Sequence, residues 1–134
     1  MAEKMKILLG YDDSEESRKA AEVAMKHAKA FDADLYILTS LLGDPAEMDK
    51  DKEKNEEMLE SAKAVFEKEG INCETVLILR GMSLGEDLVQ YAKNTGIDEI
   101  IIGIKIKSRV GKFLFSSNAQ YVVIKSPCPV VTVC

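Results

Sequence analysis

A loop rich in basic residues, followed by hydroxyl side chains, is the stretch of this sequence best suited to bind an anion. Lys105, Lys107, Arg109 and Lys112 follow one another with no acidic residue between them. The chain then reaches Ser116-Ser117-Asn118, residue types that favour a helix start. A helix N-terminus offers unpaired backbone N–H groups and the positive end of the helix dipole, which together favour a phosphate. The stretch therefore predicts an anion site, and a solvated lysine-rich turn is the alternative.

An acidic residue, Asp12, directly follows the first apolar run of the chain, residues 5–11. A later run, residues 99–103, comes just before the basic loop. Short apolar runs of this kind are typical of strands buried on both faces of a parallel sheet. Ligands of open parallel sheets bind beyond the carboxyl ends of the strands, where the strand order reverses. If these two strands are neighbours, Asp12 and the basic loop line one crevice; a helix cap is the alternative role for Asp12.

The elements that must position these residues alternate along the chain. Strands are predicted at 5–11, 34–42, 71–79, 99–103 and 129–133, and helices at 14–31, 47–69, 84–95 and 118–125. This order predicts a doubly wound α/β fold in which helices cover both faces of a five-stranded parallel sheet. The length of 134 residues predicts a single domain, residues 1–134.

Some details of these elements are also expected from the pattern. Phe31, Val65 and Val123 fall on the apolar stripes of their helices and are expected to face the core. Residues 48–57 contain so few apolar side chains that the start of the second helix is expected to be frayed or disordered. The alternation Ile104-Lys105-Ile106-Lys107 leaves open that the fourth strand continues through Ile106.

The composition excludes several classes of protein. A net charge of -5 disfavours a general nucleic-acid binder, and no apolar run approaches the ~20 residues of a membrane helix. The N-terminus lacks the apolar segment of a signal peptide, which predicts a cytoplasmic location. Three cysteines without short spacing and one histidine, His27, make a disulfide framework or metal site unexpected, and His27 is expected at the surface.

The motifs of the common nucleotide-binding sites are absent. The chain contains no Gly-x-x-x-x-Gly-Lys-Ser/Thr and no Gly-x-Gly-x-x-Gly. No histidine stands where a general base is expected. The sequence therefore predicts a protein that is not an enzyme, and slow ATP hydrolysis is kept only as a distant alternative.

Several segments together resemble one known family over essentially the whole chain. They are Ile7-Leu8-Leu9-Gly10-Tyr11-Asp12, Gly81 with Ser83, residues 100–103, and the ending Ser126-Pro127-Cys128-Pro129-Val130-Val131-Thr132-Val133. This arrangement is similar to the universal stress protein family. The resemblance implies a Rossmann-like fold that binds ATP or AMP, with Mg²⁺ left open, and that has little or no catalytic activity. It also implies a homodimer through the last strand, whose nearly uncharged residues would expose backbone groups if the strand lies at a sheet edge. A central buried strand is the alternative.

Nucleotide-binding members of that family carry Gly, two residues, Gly, nine residues, then Gly and Ser or Thr after the fourth strand. The corresponding positions here are Gly103, Ile106, Ser116 and Ser117, so two of the three glycines are replaced. A β-branched residue at 106 resists the positive φ that glycine allows, whereas the serine at 116 is a milder change. These two replacements favour the alternative function, a dimeric stress or interaction module that binds no nucleotide.

The resemblance assigns nucleotide binding to residues in the loops after the first, second and fourth strands. Asp12 is assigned to the adenine or the nearby sugar, and the second-strand residues to the base through their backbone. The full set is Asp12, Ser40, Leu41, Gly103, Ile106, Lys107, Ser108, Arg109, Ser116, Ser117 and Asn118.

Overall fold

Strands and helices alternate along the chain, as the sequence predicts. The computed structural model describes residues 4–42, 45–79, 81–105, 107–109, 112–114 and 116–134, and for 45–48, 107–109 and 112–114 it describes the backbone alone. The elements are β1 (Lys6–Gly10), α1 (Glu15–Phe31), β2 (Asp34–Leu41), α2 (Pro45–Lys68), β3 (Cys73–Leu79), α3 (Leu84–Thr95), β4 (Glu99–Gly103), β5 (Lys107–Arg109), β6 (Lys112–Leu114), α4 (Ser117–Lys125) and β7 (Val130–Val133).

The central sheet has five strands in the order β3-β2-β1-β4-β7, and every neighbouring pair is parallel. The strand order reverses between β1 and β4, which pair through Ile7 to Glu99 and Leu9 to Ile101. The predicted doubly wound five-stranded sheet is therefore confirmed. The first and fourth strands are neighbours, which is the arrangement that a shared crevice requires.

Side chains from both faces of the strands enter the core. Ile7 and Leu9 of β1 point to the layer of α1 and α2, while Leu8 points to the layer of α3. All three are completely buried. Burial on both faces explains why the run that forms β1 is apolar without alternation.

Three residues predicted to face the core are exposed instead. Phe31, Val65 and Val123 are 52%, 58% and 55% exposed. Phe66 and Val122 hold the buried positions beside the two valines, and neighbouring residues of a helix point about 100° apart. Phe31 is the last residue of α1. The apolar stripes were thus predicted in the right place, but each included one residue that is exposed.

The charged start of the second helix is also helical, contrary to expectation, since α2 begins at Pro45. Local contacts help to hold this exposed half. Lys52 and Glu56 form an i,i+4 pair at 4.0 Å, and the Asn55 amide donates a hydrogen bond of 2.7 Å to the carbonyl of Asp51. A helix can thus form here without burying an apolar face.

The basic loop contains structure that the sequence did not predict. β4 ends at Gly103, and β5 and β6 then form a separate antiparallel ribbon in which Ser108 pairs with Phe113. Ile106, through which the fourth strand was considered to continue, lies outside the described residues. None of the described helices combines the length and the apolar character needed to cross a membrane.

His27 was expected at the surface rather than in a catalytic role, and it is partly exposed but not free. Its side chain is 30% exposed, and its Nδ1 lies 2.6 Å from a carboxylate oxygen of Glu99. Glu99 is the first residue of β4, far from His27 in the sequence. The pattern around His27 contains no sign of this partner.

Candidate functional site

A cavity of about 230 Å³ lies at the reversal point of the sheet, beyond the carboxyl ends of β1 and β4. Its walls come from the loop after β1, the end of β4 and the N-terminal turns of α1, α3 and α4. Among the lining residues are Gly10, Asp12, Ser17, Gly103, Ser116 and Asn118. The topology thus brings the Asp12 loop and the start of α4 together, as expected.

Gly103 allows the end of β4 to lie directly against α1. A Cβ atom on this residue would lie 2.2 Å from the carbonyl oxygen of Glu16 and 2.8 Å from the backbone nitrogen of Ser17. No side chain fits in that space without moving backbone. Glycine here fixes how closely the two sides of the cavity approach.

The N-terminus of α4 carries the hydrogen-bond donors of the site. Ser116 caps the helix, because its hydroxyl accepts a hydrogen bond of 3.2 Å from the backbone N–H of Ala119. The N–H groups of Ser117 and Asn118 are in the first turn, where no partner within the helix exists. The first turn contains no acidic residue, so no carboxylate of this turn neutralises the positive end of the helix dipole. This end of the cavity suits an anion.

Asn118 also ties two helices together. Its side-chain oxygen accepts a hydrogen bond of 3.0 Å from the backbone N–H of Gly85, in the first turn of α3. Ser83 caps that helix by accepting a hydrogen bond of 3.1 Å from Glu86. The N-termini of α3 and α4 therefore meet beside the cavity in a fixed geometry.

The lining of the cavity carries both signs of charge. Lys105, which is exposed, lines the cavity together with Asp12 and Glu16. A phosphate is favoured near the lysine and the α4 N-terminus, and a cation or a hydrogen-bond donor is favoured near the carboxylates. The cavity is thus suited to a ligand with two chemically different ends.

Asp12 is held in place by the loop that it begins. Its carboxylate accepts a hydrogen bond of 3.0 Å from the backbone N–H of Ser14, and its own N–H donates to the hydroxyl of Ser17 at 3.4 Å. The cap of α1 is Ser14. The alternative role of Asp12 as a helix cap is therefore wrong, and the carboxylate lies exposed at the cavity.

A second cluster next to Asp12 was missed by sequence reasoning. The Tyr11 hydroxyl donates to Asp13 at 3.0 Å, and the Arg18 Nε donates to the same carboxylate oxygen at 3.0 Å. These two hydrogen bonds, that from Arg18 first, lower the pKa of Asp13, while burial raises the pKa of Tyr11. Asp13 has a φ of 63°, which is uncommon outside glycine. The loop after β1 is thus held from both sides.

The other predicted residues have different outcomes. Ser40 and Leu41 end β2 and are not among the residues that line the cavity. Lys107, Ser108 and Arg109 form β5, with the backbone alone described. Ile106 lies outside the described residues, and no group of three metal-binding side chains occurs in the described part of the chain.

Comparison with known proteins is consistent with this geometry. A sequence model described as the universal stress protein family matches residues 4–133. The chain belongs to the universal stress protein family. A universal stress protein of Thermus aquaticus is 32% identical over 95% of this chain and 96% of its own length.

Two solved universal stress proteins of Archaeoglobus fulgidus share the fold. The first superposes with a TM-score of 0.83 at 28% identity and covers 97% of this chain and 93% of that one. The second, solved in complex with dAMP, gives a TM-score of 0.81 at 26% identity and covers the whole of both chains. The family and the Rossmann-like α/β fold inferred from the sequence are both confirmed.

Proposed function

We propose that this universal stress protein binds an adenine nucleotide, ATP or AMP, at the carboxyl ends of β1 and β4. The observation that carries the proposal is the cavity itself, whose lining joins the first turn of α4 and Lys105 with Asp12 and Gly103. In this proposal the phosphates bind at the α4 N-terminus and the nucleoside extends toward Asp12. The dAMP complex of the Archaeoglobus relative supports the same ligand class.

The site suits binding better than turnover. Asp12 and Glu16 supply carboxylate oxygens, the ligands that Mg²⁺ prefers when it accompanies nucleotide phosphates. Neither carboxylate is paired with a histidine, since His27 at the opposite end of α1 contacts Glu99. We therefore propose a regulatory or protective module of the cytoplasmic stress response, with little or no catalysis. A phosphate-release assay checks for slow ATP hydrolysis.

Titration calorimetry with ATP, ADP, AMP and adenosine tests the proposal. We expect binding, with Lys105→Glu weakening ATP more than adenosine because only ATP carries phosphate charge. Lys125→Glu, at the far end of α4, is the matched control and should leave both affinities unchanged. Absence of binding at millimolar nucleotide would overturn the proposal. Equal losses of affinity for ATP and adenosine in Lys105→Glu would exclude a contact between Lys105 and the phosphates.

The second candidate is a dimeric interaction module that binds no nucleotide, favoured by Ile106 and Ser116 in place of two glycines. A double replacement, Ile106→Gly with Ser116→Gly, separates the two. Glycine is nearly as good an N-cap as serine, so α4 should tolerate the second change. Affinity that appears only in the double variant would favour the second candidate.

Either candidate includes a homodimer through β7. This strand is an edge of the sheet, and its outer backbone groups have no neighbouring strand within the sheet. Beside it, Ile124 on α4 is 73% exposed, and together with Val123 and Ile104 it lines an apolar groove that includes Thr132 of β7. A second copy would pair with the edge and cover these side chains.

A further inference from the structure

A buried carboxylate, Asp87, joins the end of β2 to the connection between β3 and α3. Asp87 is only 5% exposed. One of its oxygens accepts a hydrogen bond of 2.5 Å from the hydroxyl of Ser40, and the other accepts one of 3.3 Å from the backbone N–H of Met82. The first turn of a helix favours negative charge, but a carboxylate this deeply buried is uncommon unless it is paired, so these contacts call for a role.

Gly81 makes room for this arrangement. A Cβ atom at this position would lie 1.9 Å from an Asp87 carboxylate oxygen and 2.6 Å from the Ser40 hydroxyl oxygen. Real atoms do not approach so closely, so any other residue would break the pair. The backbone at Gly81 is therefore fitted to the contact between Ser40 and Asp87.

The pair lies beside the candidate nucleotide site. Leu84 and Leu88, one turn before and one residue after Asp87 on α3, line the cavity. The last residue of β1, Gly10, pairs with Leu38, so Ser40 lies two residues further along β2. Ser40 therefore lies beyond the end of β1, on the face of the sheet that α3 covers.

The Asp87 carboxylate fixes which hydrogen bonds Ser40 can still form. The Ser40 hydroxyl donates its single proton to the Asp87 carboxylate. The remaining lone pairs of the Ser40 oxygen can only accept. Ser40 is half-buried, and the neighbouring Leu42 and Met82 side chains are 60% and 58% exposed. The result is a fixed acceptor flanked by apolar groups.

We propose that Asp87 is a positioning residue that holds Ser40 as a hydrogen-bond acceptor for the base of the bound nucleotide. Such an acceptor favours a base with an exocyclic amine, as in adenine, over one with a carbonyl oxygen at the same position, as in hypoxanthine. The apolar side chains beside it suit the faces of the ring. This inference rests on the proposed function and adds a determinant of specificity to it.

Calorimetry with AMP and IMP tests the inference, because these nucleotides differ along one edge of the base: adenine has an amine and an unprotonated ring nitrogen there, and hypoxanthine has a carbonyl oxygen and a ring N–H. We expect the protein to bind AMP about tenfold more tightly than IMP, the ratio expected when one hydrogen bond is matched or mismatched. Ser40→Ala removes the acceptor and should abolish the preference. Glu86→Gln, the same acid-to-amide change in a neighbouring residue that does not contact Ser40, should leave the preference intact.

Asp87→Asn gives the sharpest result. The Met82 N–H requires an oxygen, so the new amide nitrogen faces Ser40 and donates to it. The Ser40 hydroxyl must then accept that bond and direct its proton outward, as a donor. The preference for AMP over IMP should disappear or reverse. If Asp87 has a purely structural role, the substitution should lower the affinity for both nucleotides equally.

The outcomes separate this inference from the proposed function. If AMP binds but Ser40→Ala and Asp87→Asn keep the original ratio, or if both nucleotides weaken equally, the inference is overturned and the proposed function stands. If the protein binds none of ATP, AMP and IMP, both are overturned. If Asp87→Asn does not fold, Ser40→Ala decides alone, because it removes the acceptor and leaves Asp87 in place.

Discussion

The imidazole of His27 and the carboxylate of Glu99 join the last turns of α1 to the first residue of β4, with 2.6 Å between Nδ1 and Oε1. Glu99 is 9% exposed, so its carboxylate has little access to water. The Phe31 ring covers the imidazole edge-on, with 5.6 Å between ring centroids. This pair anchors α1 at the end of the sheet opposite the cavity.

His27→Ala should destabilise the fold, because it leaves the buried Glu99 carboxylate without this partner. We expect the free energy of unfolding to fall by about 1–3 kcal/mol. Urea denaturation at neutral pH measures the change. Lys26→Ala, an exposed neighbour on the same turn, is the control and should change it by less than about 0.5 kcal/mol. Equal effects of the two variants would contradict a stabilising role for the pair.

Gly103→Ala should be among the most damaging single substitutions at the site. The new Cβ would lie 2.2 Å from the backbone of α1 at Glu16, and neither element can move without opening the cavity. We expect a loss of about 3 kcal/mol or more in urea denaturation, the upper end for overpacking. Gly10→Ala is the comparison, since its nearest neighbour is a Leu88 methyl group at 3.1 Å, which can rotate. A loss for Gly103→Ala no larger than that for Gly10→Ala would contradict this account.

Local signals in the sequence predicted the helices and strands, but they could not predict contacts between residues far apart in the chain. The bounds of α3 match because Ser83 caps its start and Gly96, with a φ of 69°, caps its end. The partners Ser40 and Asp87 are 47 residues apart, and no periodicity links them. The same is true of His27 and Glu99, which are 72 residues apart.

The candidate site was predictable only in part, for a related reason. Parallel topology alone places Asp12, Gly103 and the start of α4 at one edge of the sheet, so these predictions needed no knowledge of side-chain packing. The backbone contact of Gly103 with α1 could not be read from the sequence, since short loops often contain a glycine for their own conformation. The β5–β6 ribbon was missed because each strand has three residues, too few for a periodic pattern.

The thiol of Cys73 should resist both alkylation and ionisation in the folded protein. Burial raises its pKa to about 12, compared with about 8.5 for an exposed thiol. As pH rises from about 8.5 toward 12, the unfolded state loses this proton before the folded state does, so the raised pKa lowers the stability over that range. Cys73→Ala should remove this contribution, which denaturant titrations at pH 8 and 10 measure.

Labelling gives an independent check of the same thiol. Cys134 is exposed and should react with a disulfide reagent at once, whereas Cys73 should react only when the protein is denatured. Variants with a single cysteine at 73 or at 134 identify each reaction. Rapid labelling of Cys73 in the native protein would contradict its burial.

Ile124→Asp should convert the proposed homodimer into a monomer. Ile124 is the most exposed of the large apolar side chains in the described part of the chain, at 73%, and it lies on α4 beside the β7 edge. A carboxylate there would have to be buried without a partner if a second copy covered the groove, which is costly. Sedimentation velocity should show a dimer for the unchanged protein and a monomer for the variant. Val65→Asp places the same charge on an apolar side chain of α2 with 58% exposure, away from β7, and should leave the dimer intact. A monomeric unchanged protein, or a dimer that persists in Ile124→Asp, would exclude this face as the interface.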